Sequence, residues 1–245
     1  MQSITDPELV LNGDFEELGD EEVTNGTFDT DSDWTLGTSW SIEDGVAASD
    51  GGASYLTSGS TLTSGNTYRV SLEITEYNGG SVSLPFDGAG ANTNYQNSVG
   101  VKTAYIVAEN NSPIYIYSSG FDGKIDNVSV QQVDPNDRWT AQNGWILQDG
   151  LASFGGTVSS YRKLFQENFL TIGNTYELSF EILSISSGSI ANLETGSPSF
   201  DTVGVKTQTF VATFDDLYLE PTTDANLTID NISVKDITFS EDVDL

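Results

Sequence analysis

The chain has 245 residues, with 37 acidic and 8 basic side chains, a formal net charge of -29, no cysteine and no histidine. So negative a surface repels nucleic-acid phosphates and anionic membranes, which argues against both as partners. Without histidine or cysteine there are no Ser/His or Cys/His nucleophile pairs, no disulfide framework and none of the usual zinc donors.

The N-terminus, Met1-Gln2-Ser3-Ile4-Thr5-Asp6, lacks a basic segment followed by an apolar run, so it reads as carrying no secretion signal, and no stretch of the sequence is apolar for long enough to span a bilayer as a helix. Next comes a leader, Val10-Leu11-Asn12-Gly13-Asp14-Phe15-Glu16, and then a second leader, Val23-Thr24-Asn25-Gly26-Thr27-Phe28-Asp29. Both follow the pattern Asn-Gly-x-Phe-acidic.

Beyond the leaders the chain repeats itself. Trp34 and Trp40 recur as Trp139 and Trp145, and Asp44-Gly45 recurs as Asp149-Gly150. Gly65-Asn66-Thr67-Tyr68 recurs as Gly173-Asn174-Thr175-Tyr176, and Val99-Gly100-Val101-Lys102-Thr103 recurs unchanged from Val203 to Thr207. Ile125-Asp126-Asn127-Val128-Ser129-Val130 returns as Ile229-Asp230-Asn231-Ile232-Ser233-Val234. The offsets stay between 104 and 108 along the whole unit, the mark of one body copied once.

Each copy reads as strands. Tyr68–Ile74 and Tyr176–Ile182 alternate apolar with polar, one face buried and one wet. Ile114–Tyr117 and Leu217–Leu219 are further short strands, separated by dense Asp-Gly, Asn-Gly and Gly-Asn turn signals. Residues 161–169 are the best candidate for a helix. The fold class is therefore all-β, two tandem antiparallel β-sandwich domains. The first spans 21–133 and the second 134–238, with an acidic tail over 239–245.

The second copy has no leader directly before it, whereas the first has two. An edge without a partner strand leaves backbone groups unpaired. Residues 9–16 therefore either complete the second domain as its first strand, which inserts the first domain into the second, or form a separate arm.

Together these motifs resemble carbohydrate-binding-module-like jelly rolls, in particular the tandem copies in structural proteins of tailed bacteriophages. The resemblance covers residues 9–236 and implies a non-enzymatic virion protein, a capsid decoration or cement protein or part of a fibre. Its partners would be the major capsid protein or other virion subunits, and a homo-oligomer is compatible with it. The alternative is an adhesin or accessory module that recognises cell-surface glycans. The resemblance also implies structural calcium where leader and closing strand meet, held by Asp29 with Asp126 and by Glu16 with Asp230. Calcium needs six to eight oxygens, so two carboxylates are not a site by themselves.

Sugar binding would use aromatic rings on a sheet face or loop rim. Tyr77, Phe86 and Tyr95 lie in polar stretches of the first copy and are the candidates, while the four tryptophans recur in register as core residues do. The candidate rings have no counterparts in the second copy, which favours a scaffold role. Glu73 and Glu181, at matching strand positions, are the least arbitrary catalytic pair. They read as solvated sheet residues, and the chain as no enzyme.

Overall fold

In the computed structural model, residues 7–88, 94–194 and 197–238 are described. The acidic tail, 239–245, and parts of the variable loops 78–97 and 186–202 lie outside them. The described residues are all β, with no helix. Residues 161–169, read as a helix from sequence, instead contain strand β13 (Leu164–Gln166). Leu164 and Gln166 turn inward from it and are buried, which is a two-residue period rather than a helical one.

The chain divides into two compact bodies. The first is continuous, residues 18–133; the second joins residues up to 17 with those from 134 onward. The second body holds two five-stranded antiparallel sheets. One runs β10 (Thr140–Ala141), β13, β18 (Leu217–Pro221), β15 (Ile190–Asn192), β16 (Ser199–Phe200). The other runs β11 (Trp145–Gln148), β12 (Leu151–Phe154), β19 (Asn226–Asp236), β14 (Thr175–Ser187), β17 (Gly204–Val211).

The first body repeats these pairings. A front sheet contains β2 (Trp34–Leu36), β5 (Ser54–Thr61), β9 (Pro113–Val133), β6 (Thr67–Ser83) and β7 (Tyr95–Gln96). A back sheet contains β3 (Trp40–Glu43), β4 (Val46–Asp50), β9, β6 and β8 (Gly100–Val107), with β1 (Leu18–Glu21) added to β9. Here β6 and β9 run unbroken through both sheets, where the second body uses β14 with β15 and β18 with β19. The bend is made at Gly80, whose φ is +69°. A Cβ there would stand 1.8 Å from the Gly120 carbonyl oxygen, so only glycine fits.

The repeated motifs are structural parts. Asp44-Gly45 and Asp149-Gly150, all at positive φ, make the tight turns of the β3–β4 and β11–β12 hairpins. Tyr68 and Tyr176 are 1 % exposed, and their hydroxyls accept from Thr63 N (3.0 Å) and Thr171 N (2.8 Å). The four tryptophans are buried. Each indole N–H donates to a backbone carbonyl: Trp34 to Asn25, Trp40 to Ser54, Trp139 to Asn12 and Trp145 to Arg162.

Residues 9–16 form no regular strand. Glu8 makes one antiparallel bridge to Lys235, Leu9 N donates to Val234 O (3.0 Å) and Ile232 N donates to Gly13 O (2.9 Å). The rest turns inward, because Asn12 and Phe15 take positive φ of 53° and 54°. The leader of the first body does the same, with Asn25 and Phe28 at 58° and 52° and Val128 N donating to Gly26 O (2.9 Å). Bulky side chains rarely adopt this conformation. Each phenylalanine is held there against a tryptophan, Phe15 on Trp139 at 5.3 Å and Phe28 on Trp34 at 5.2 Å.

Gly26→Ala would drive a Cβ to 2.0 Å from the Val128 carbonyl oxygen. Urea denaturation should show a loss of at least ~2 kcal/mol, in the upper part of the range for single substitutions. Gly79→Ala, with nothing within 4 Å of the new methyl, should leave the midpoint nearly unchanged.

Candidate functional site

The outer face of the front sheet in the first body gathers aromatic rings. The pattern Ile114-Tyr115-Ile116-Tyr117 on β9 buries both isoleucines and turns both tyrosines outward. On β5, Tyr55 lies directly opposite Tyr117, and Thr57 opposite Tyr115. Tyr55 is 49 % exposed, and its ring centroid lies 4.7 Å from that of Tyr117 and 5.7 Å from that of Tyr115. Phe86 bridges to Tyr115 through backbone hydrogen bonds in both directions, with ring centroids 6.0 Å apart. Tyr95, on edge strand β7 and 40 % exposed, lies 6.5 Å from Tyr117. Gly88 lies against the Tyr115 ring, where a Cβ would come within 2.7 Å of it.

Of the three rings singled out in the sequence, Phe86 and Tyr95 join this cluster. Tyr77 does not; its hydroxyl donates to Gly80 O (3.1 Å) and its ring neighbours Phe121. Tyr55, Tyr115 and Tyr117 were missed as site residues. Their signal was the tyrosine at every second position of a strand whose other positions are isoleucine.

The equivalent face of the second body is built differently. Leu164 pairs with Leu219 as Leu56 pairs with Ile116, which aligns the two faces. Tyr218 then stands where Tyr115 does, Lys163 replaces Tyr55 and Glu220 replaces Tyr117. Lys163 Nζ sits over the Tyr218 ring, 4.4 Å from its centroid. Arg162 pairs with Glu220 at 2.8 Å and donates to Pro221 O. The Tyr218 hydroxyl donates to Asp216, which, with burial, pushes the phenol up to about 12. Phe165 and Phe214 flank Tyr218. This face has rings, but a cation covers the one shared with the first body.

The carboxylates expected to hold calcium serve the closing strands. Asn127 and Asn231 sit at positive φ, 51° and 54°, in bulges where the register with β6 and β14 shifts. Asp126 and Asp230 each accept the N–H of the following asparagine, at 2.7 and 2.6 Å. Asp29 accepts from the Thr27 hydroxyl (2.8 Å), and Glu16 lies against the Asp149-Gly150 turn. Among the described residues no group of three or more acidic side chains is arranged to hold a metal ion, so a calcium ion at either pair would take most of its oxygens from backbone carbonyls and water. Glu73 lies opposite Asp126, accepting from the Asn127 side chain, and Glu181 lies opposite Asp230. Each catalytic candidate therefore sits on its own sheet beside a bulge.

No family model matches this sequence, and no curated protein matches it. Among solved structures, the chain is similar to the N-terminal CBM22-1–CBM22-2 tandem domain of Paenibacillus barcinonensis Xyn10C. The identity is 12 %, the match covers 91 % of this chain and 99 % of that one, and the TM-score is 0.33. A likeness this loose says nothing about what this chain binds.

Burial lifts the Asp230 carboxyl above its ordinary value, with further upward pushes from Asp14 and Glu181 outweighing nothing but the Asn231 N–H bond. A raised folded-state value stabilises the fold at low pH, and that contribution is lost as pH rises through the folded value. Asp230→Asn, which keeps an oxygen for Asn231, should therefore raise the urea midpoint at neutral pH. The gain should vanish as pH falls toward 3.8, the ordinary carboxylate value.

Proposed function

We propose that this chain is a non-catalytic carbohydrate-binding protein whose first body lays a sugar chain across the tyrosine face of its front sheet. The observation that carries this reading is the outward-facing ring cluster of exposed Tyr55 with half-buried Tyr115 and Tyr117, flanked by Phe86 and Tyr95. These rings cover no core: the residues that alternate with them, Leu56, Ile114 and Ile116, already fill it. Large rings left at a surface cost solubility unless they meet a partner. A pyranose presents flat C–H faces that stack on such rings, with hydroxyls at its rim for polar side chains and water.

A strand-borne platform is rigid, because the backbone of β5 and β9 is locked in the sheet. Rigid rings lose little freedom on binding, which favours a preformed site. The covered Tyr218 of the second body makes that face a poorer platform, so the reading assigns chain binding to the first body alone. The setting implied by the resemblance, a phage particle displaying this face outward, is a further part of the proposal. Mass spectrometry of purified particles would test it by finding the chain in stoichiometric amount or not.

Affinity electrophoresis against soluble xylan, β-glucan, mannan and chitosan derivatives tests the binding reading directly. The protein should be retarded by at least one of them. Tyr55→Ala and Tyr117→Ala should each weaken binding roughly tenfold or more, about 1.4 kcal/mol. Phe165→Ala, on the second body, should leave it unchanged. A wild-type protein that migrates freely through every gel overturns the reading.

A further inference from the structure

The second body has a cavity beside its leader. It measures about 300 Å³ and lies between the leader and the edge of the β10–β13 sheet. Leu9 and Leu11 of the leader form one wall, Asn136 and Arg138 another, and Asn168 with Phe169 a third. The leader wall is fixed, because the Gln166 side chain accepts from Leu11 N (3.2 Å) and donates to Leu11 O.

The segments that border it are held differently in the two bodies. In the first body the equivalent segments are tied together, Gly59 N donating to Asp33 O at 3.0 Å. In the second, Arg138 replaces Asp33 and Glu167 replaces Gly59. The following residue, Asn168, turns to positive φ, 60°, and donates its N–H to Asp216 instead (2.8 Å). The two segments part, and the gap is lined with polar side chains. Among the described residues the Arg138 guanidinium donates no hydrogen bond: its Nε is shut from solvent and is ion-paired with Glu17 Oε2 at 3.6 Å, while the side chain as a whole is 37 % exposed. A donor atom shut from solvent without a hydrogen bond is costly, and this one borders the cavity.

We infer that this cavity binds a single neutral sugar ring, as a site separate from the tyrosine platform. The chemistry of the lining selects that class. Arg138, Asn136 and Asn168 carry donors, the Asn136 amide also donating to Glu17, Asp137 and Glu167 carry acceptors, and Leu9, Leu11 and Phe169 supply apolar groups. Hydroxyl groups are donors and acceptors at once and use both kinds of partner, while ring C–H groups use the apolar wall. Carboxylate or phosphate ligands are disfavoured, since Asp137, Glu167 and Glu17 outnumber the one guanidinium. The volume is at the lower end of small-molecule sites, ~300–1,000 Å³, which suits one ring and not a chain.

The test uses the full chain carrying Tyr55→Ala and Tyr117→Ala, so that the platform is silent. Nitrogen-15 NMR follows the Arg Nε–H and Asn side-chain signals during titration with glucose, galactose, mannose, xylose and N-acetylglucosamine. At least one sugar should shift the Arg138 signal with a millimolar dissociation constant. Arg138→Gln, and separately Leu11→Trp, which fills the cavity from the leader without touching Arg138, should each weaken that sugar roughly tenfold or more. The inference is overturned if no sugar moves these signals, or if both substitutions bind like the parent. Loss of polysaccharide binding by the platform has no bearing on this readout, so the two readings fail independently.

Discussion

Each sandwich is closed by the grip between a short leader and its last strand, and the remaining structure depends on that grip. The leader's glutamate, Glu8 or Glu21, reaches over the strand end. Glu21 accepts from the Ser129 hydroxyl and from Val130 N, and Glu8 from Ser233 and Val234 N. Two residues beyond the bulge asparagine's aspartate, the strand's N–H meets the leader glycine's carbonyl. That approach is so close that the glycine can carry no side chain. The asparagine then offers its carbonyl to the tryptophan indole, and the phenylalanine packs on the same ring. Bulge, glycine, phenylalanine and tryptophan thus form one interlocked unit, present in both bodies. Each satisfies a group that the others leave buried.

The second body obtains its leader from the part of the chain that precedes the first body. The junctions fall at Glu17–Leu18 and Val133–Asp134. Asp134 anchors the second junction to both halves of its body. Its carboxylate accepts from Asn12 of the leader and from Trp139 N, while its own N–H donates to Glu17 O. Burial pushes this carboxyl above its ordinary value despite those bonds. A charged group kept at such a place acts as a polar staple for a chain that leaves and returns.

With the scaffold so strongly determined, divergence is confined to its outer faces. The front sheet of the first body turns three tyrosines outward, and the second replaces two of them with Lys163 and Glu220 and folds the lysine over the third. At one edge the second body lacks the counterpart of the Gly59–Asp33 backbone hydrogen bond, and a polar cavity lies there. The acidic residues follow the same division. Some are structural, like the bulge aspartates, whose repetition comes from backbone hydrogen bonding. Others, such as Asp31 and Glu43, are exposed.

The sequence by itself determined the class of fold, the copying of one body, the strands and their turns, and the buried tryptophans. All of these follow from local period, turn chemistry and repetition in register. It also marked the leaders, but as strands. It could not show that Phe15 and Phe28 turn inward at positive φ, because only the tryptophan ring beneath makes that conformation favourable. For the same reason it could not show that Asp126 and Asp230 each accept the N–H of a bulge asparagine, since a bulge is a mismatch between two strands and neither strand alone records it. The tyrosine platform was hidden within an ordinary strand pattern: Tyr55 and Tyr117 lie far apart in the chain and become one surface only when β5 is placed against β9. The cavity beside Arg138 was invisible for a stronger reason. It is a space left by a hydrogen bond that does not form, and such a space exists only once the neighbouring segments are packed.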